Sequence, residues 1–67
     1  MARTKLQNEM IQCQSLLNQL CRIYRMKRGK CRKYQAKINK LIDVKQAKKL
    51  KKKLRAMVDE RWAKRYE

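Results

Sequence analysis

The 67-residue chain contains no histidine, no proline and no phenylalanine, one glycine, and 5 acidic residues against 21 lysines and arginines. Each shortage excludes something. Without histidine there is no imidazole to act as a general acid or base near neutral pH, or to ligate a metal. The carboxylates Glu9, Asp43, Asp59, Glu60 and Glu67 are scattered, and a single glycine cannot furnish a loop that cradles a phosphate. Catalysis is therefore not expected, and no cofactor is implied.

The scarcity of proline and glycine also leaves no strand candidate and no flexible linker. Helix formers dominate, so the expected fold class is all-α. Long apolar runs are missing too. Residues 6–20 are poor in charge but are broken by Glu9 and several amides, well short of the ~20 apolar residues that a membrane-spanning helix needs. No membrane span and no targeting segment are expected.

Cysteine is present in an odd number, as Cys13, Cys21 and Cys31. A tetrahedral zinc site wants four Cys or His ligands in closely spaced pairs, which these gaps do not supply, so no metal site is expected. The expectation is reduced thiols in an intracellular, reducing compartment, the cytoplasm or the nucleus and nucleolus, with Cys13 as a small core residue. The nine residues between Cys21 and Cys31 resemble half of the twin Cys-x9-Cys hairpin of mitochondrial intermembrane-space proteins. The second pair is missing here.

What the chain does have is positive charge, a formal +16. Self-repulsion on that scale opposes compaction. Leu, Ile and Val together number 13, a composition at the edge of that of disordered segments, and a chain this short buries only roughly 60% of its unfolded surface. Self-association or a nucleic-acid scaffold is expected to add stability.

The charge is densest in Lys45 to Arg55, KQAKKLKKKLR, with no acid among these residues. At 100° per residue Ala47, Leu50, Leu54, Met57 and Val58 share one side of a helix, and Lys45, Lys48, Lys49, Lys52 and Lys53 the other. A second basic cluster, Arg22, Arg25, Lys27, Arg28, Lys30, Arg32 and Lys33, surrounds Gly29. These two groups are the candidate nucleic-acid-binding residues. By contrast residues 6–21 hold one charged side chain, Glu9. The organisation expected is one small basic helical domain over residues 1–67, with a neutral, coiled-coil-like helix at 6–26 and a basic helical part over 27–67.

Within the neutral zone Leu6, Met10, Cys13, Leu17, Leu20 and Tyr24 follow at steps of four and three, the heptad seam of a coiled coil, with Leu16 and Ile23 widening it. The seam is the candidate protein interface, to a neighbouring protein or a second copy; the same residues could pack against the rest of the chain. Basic residues followed by Gly29 form a helix stop signal, with the glycine suited to a left-handed cap. Against a break there, the stripe continues through Cys31, Tyr34, Ile38 and Leu41. A further break is expected near Asp43, because Ile38 and Leu41 would otherwise face away from Leu50 and Leu54, and Asp43 with Gln46 resembles a capping box. The alternative is one helix whose two faces meet different partners. The resulting architecture is a helical hairpin or three short helices, with a coiled-coil dimer as a variant. Near the end, Trp62 and Tyr66 share a face and could close a small core or stack on unpaired bases.

Charge, size and the lack of a self-sufficient core point to a small structural nucleic-acid-binding protein, an RNA-binding component of a ribosome or another ribonucleoprotein particle. Two alternatives stay open. One is a DNA-binding dimeric regulator or packaging protein, cellular or viral; the other is an interaction module whose basic amphipathic helix docks in an acidic groove or on an anionic membrane.

Overall fold

Thr4 caps the first described helix. In the computed structural model, which describes residues 4–65, Thr4 Oγ1 accepts from the Gln7 amide and Gln7 Oε1 accepts from the Thr4 amide, both at 3.1 Å. This capping box starts α1, Lys5–Asn18. The helix runs on into a wider π turn, Gln19–Ile23, in which the Tyr24 amide donates to Gln19 O at 3.1 Å. After a reversal at residues 24–27 come α2, Arg28–Asn39, and α3, Val44–Arg65. Among the described residues there is no strand. The all-α expectation holds, and of the two architectures expected, a helical hairpin or three helices, the described residues form the second.

The first break lies a few residues ahead of Gly29, and its chemistry differs from expectation. Arg25 takes the left-handed conformation at φ 52°, while Gly29 has no positive φ and sits in the first turn of α2. The Met26 amide reaches back to Leu20 O at 2.9 Å, a seven-to-one bond, one residue wider than the six-to-one bond of a Schellman motif because it closes a π turn, and Met26 and Leu20 are both buried in the core. That bond and the burial of both residues hold the turn although the left-handed position carries a side chain, at a cost of roughly 1 kcal/mol relative to glycine.

The second break falls where the opposed stripes require it. Lys40 ends α2, and Asp43 Oδ1 accepts from the Gln46 amide at 2.8 Å to start α3. The Gln46 side chain answers one residue early, accepting from the Ile42 amide at 3.4 Å. The turn lets Ile38 and Leu50 face one core instead of opposite sides.

Cross-helix partners fix the topology. Gln14 pairs with Gln35 and Cys21 with Cys31, so α1 and α2 run antiparallel. Cys13 meets Ala47 and Glu9 meets Lys51, so α1 and α3 run antiparallel too, and Lys37 of α2 and Lys53 of α3 both lie over the Tyr34 ring. The result is a bundle in which α2 and α3 both pack antiparallel on α1, which is the element the other two share.

Its core takes Cys13, Leu17 and Leu20 from the first helical segment, Met26 from the turn, Tyr34 and Ile38 from α2, and Leu50 and Leu54 from α3. Ala47 is fully buried, and its small side chain lets the Cys13 thiol donate to the Ala47 carbonyl at 3.4 Å. Each buried leucine contributes on the order of 1.5–3 kcal/mol. For a chain this short, total stability is only about 3–10 kcal/mol, so these few side chains decide whether it folds. Along the α1–α2 seam the Gln14 and Gln35 amides donate to each other at 2.8 and 2.7 Å, and Asn18 and Asn39 accept from the same two side chains.

Two expectations are corrected. Cys21 and Cys31 are not free thiols: they form a disulfide across the α1–α2 turn, with Cα atoms 6.2 Å apart, within the usual range for such a bridge. Trp62 does not close the core; it is 56% exposed. Its companion Tyr66 lies outside the described residues.

The relocated turn makes a paired prediction. A Cβ added at Gly29 meets nothing within 4 Å, so Gly29→Ala should stabilise the fold by about 0.5 kcal/mol, and Arg25→Gly by up to about 1 kcal/mol through relief of the left-handed residue. Urea unfolding followed by circular dichroism measures both. A clear destabilisation by Gly29→Ala would place the left-handed turn back on the glycine.

Candidate nucleic-acid interface

The exposed cations are sorted by helix geometry. On α3, burial of Ala47, Leu50 and Leu54 forces Lys45, Lys48, Lys49, Lys52 and Lys53 outward, and all five are exposed. On α2, Tyr34 and Ile38 face the core, which leaves Lys30, Lys33, Lys37 and Lys40, at steps of three and four, along the flank that looks toward α3. The two rows meet. Lys37 and Lys53 approach the buried Tyr34 ring from opposite helices, at 5.2 and 5.8 Å from its centroid, close enough for the ring face to attract both ammonium groups. Beside this point the helices border an open, shallow groove of about 450 Å3, lined by Lys37, Lys40, Lys49 and Lys53 around Leu41 and Leu50.

The other candidate cluster is also exposed. Arg22, Arg25, Lys27, Arg28, Lys30, Arg32 and Lys33 spread over the α1–α2 turn and the first half of α2. The 12 residues of α2, about 18 Å at 1.5 Å per residue, separate that turn from the α2–α3 connection. The two clusters are therefore joined only through the α2 flank, by Lys30 and Lys33. Lys37 and Lys40 are the members that sequence reasoning missed.

Few of these charges are neutralised by neighbours. The ion pairs found among the described residues are Lys51 with Glu9, at 2.6 Å, and Lys64 with Glu60, at 3.5 Å. Neither uses a lysine of the α2–α3 face. Lys51 also donates to Gln12 Oε1 at 3.1 Å, so the one lysine of the dense stretch that is turned toward α1 is held by side chains of that helix.

The candidate protein interface lies elsewhere. Cys13, Leu17 and Leu20 are at most 2% exposed within the single chain; Leu6, Met10 and Tyr24 are half-buried. The centre of the heptad seam is thus covered by α2 and α3. Ile23 turns outward and is 56% exposed. Burial, and after it the Glu9 carboxylate, push the Cys13 thiol above its ordinary pKa, with Lys51 pulling the other way; it is a protonated packing residue. No described helix is long and apolar enough to cross a membrane, and among the described residues no group of His, Cys, Asp or Glu could hold a metal ion. Comparison with protein-family models, curated proteins and solved structures finds no match.

Because like charges crowd the α2–α3 face, salt should stabilise this fold. Raising the salt from about 0.01 M to about 1 M shortens the screening length from about 30 Å to about 3 Å and should increase the free energy of unfolding measured in urea. A loss of stability over that range would show that attractive ion pairs outweigh the repulsion.

Proposed function

We propose that this chain is a small structural nucleic-acid-binding protein, an RNA-binding component of a ribonucleoprotein particle such as a ribosome, which lays the α2–α3 face on backbone phosphates. The observation that carries the reading is the convergence of two lysine rows from neighbouring helices onto one surface whose lysines take no part in the ion pairs found among the described residues. Lysine suits this task as a compact, mobile point charge; it neutralises phosphates without demanding a particular base. The binding expected is therefore electrostatic and tolerant of sequence, with released counterions supplying much of the driving force.

The exposed flanking groups extend the same surface. Lys30 and Lys33 connect it to the arginines of the α1–α2 turn, whose planar forks would grip phosphates bidentately. Neutralisation by a polyanion would also relieve the repulsion that a +16 chain carries. Binding and added stability thus go together.

The test is the salt dependence of RNA affinity, measured by fluorescence anisotropy. Replacing Lys48, Lys49 and Lys52 by Gln keeps helix propensity and removes three charges. The triple variant should lower the log–log slope by about two to three units and weaken different RNA sequences alike. An unchanged slope and affinity would remove α3 from the interface.

A further inference from the structure

The α2–α3 groove has a second character besides its charge. Leu41 and Leu50 line it between the walls that carry Lys37, Lys40, Lys49 and Lys53, and Ile42, 75% exposed, stands beside Leu41 in the turn. A phosphodiester backbone gains from convergent donors but nothing from leucine side chains. An apolar floor between two basic walls matches a ligand that is apolar on one side and anionic along its edges.

We infer that this groove docks an acidic amphipathic helix of a partner protein. Its apolar side chains sit on Leu41 and Leu50, and its carboxylates spread toward the lysines of either wall. The dimensions agree with this. From Gln46, which also lines the groove, to Lys53 is about 10 Å at 1.5 Å per residue, two helical turns, enough for anchors at positions i, i+3 or i+4, and i+7. Charge selects the occupant. A second copy of this chain would bring another +16 against the lysines, whereas an acidic helix is attracted to them. The inference does not rest on the nucleic-acid reading: Lys37, Lys40, Lys49 and Lys53 belong to both surfaces, whereas Lys45, Lys48 and Lys52 lie outside the groove.

The probe is a labelled 18-residue peptide with leucines at i, i+3, i+7, i+10 and i+14 and glutamate or aspartate at most other positions. A sequence isomer of identical composition, with its leucines scattered around the helix, serves as control. Anisotropy titrations at about 0.15 M salt, where long-range attraction between exposed charges is screened, should show the amphipathic peptide binding at least tenfold more tightly than the isomer. Lys37→Glu with Lys49→Glu should weaken it at least tenfold, while Lys48→Glu with Lys52→Glu on the outer side of α3 should change it less than threefold. Circular dichroism checks that each variant is folded. Amide-shift mapping on the unaltered chain, which needs no variant, should centre on Leu41, Gln46 and Leu50. Equal binding of both isomers, or equal loss from the two pairs of reversals, would reduce the effect to bulk charge and overturn the inference. So would shifts confined to other residues, or single-stranded RNA that shifts Leu41 and Leu50 while the amphipathic peptide does not.

Discussion

The constraint on which this structure depends is charge segregation. Two strongly basic helices, α2 and α3, must lie close enough to share a core although their lysines repel one another. The third element makes this feasible. α1 carries Glu9 as the one charged side chain between residues 6 and 21, so it packs against both basic helices without adding to the repulsion. Glu9 takes up Lys51, and Gln14 and Gln35 bridge the α1–α2 seam through neutral amides. The remaining lysines are driven to the outside of the bundle, where repulsion is weakest and phosphates or carboxylates could relieve it further.

The same constraint gives the charge-poor helix its place. Leu17 and Leu20 are covered by their own chain, and what stays exposed on the first helical segment is a lesser set that includes Ile11 and Ile23. The surface that distinguishes this protein is instead the α2–α3 face, where cations from two helices converge over Tyr34 and border an apolar groove. A compact, marginally stable bundle with one dominant basic face is suited to binding.

Much of this was legible in the sequence, and the misses have physical causes. The all-α class follows from composition, and the break at Asp43 from two stripes that no single helix could turn to one core. The outward lysines of α3 follow from the spacing of Leu50 and Leu54. Periodicity marks the α1 stripe but does not say which surface will cover it; that depends on α2 and α3 folding back. The left-handed turn is assigned to Gly29 if residue type alone decides. The fold sets it at Arg25, where the Met26 amide bonds back to Leu20 O and both residues are buried in the core. The Lys30, Lys33, Lys37, Lys40 row has a readable three-four-three spacing that the surrounding density of basic residues conceals. Pairing of Cys21 with Cys31 needs the turn geometry, which spacing does not supply.

Whether one chain suffices for this core is tested most directly by its mass in solution. Sedimentation equilibrium at tens of micromolar and moderate salt, with urea unfolding at several protein concentrations, should return a monomer whose midpoint is independent of concentration. A dimer that dissociates as it unfolds, with a midpoint rising with concentration, would mean that the Leu17 and Leu20 stripe is buried between chains, and would contradict the bundle described here.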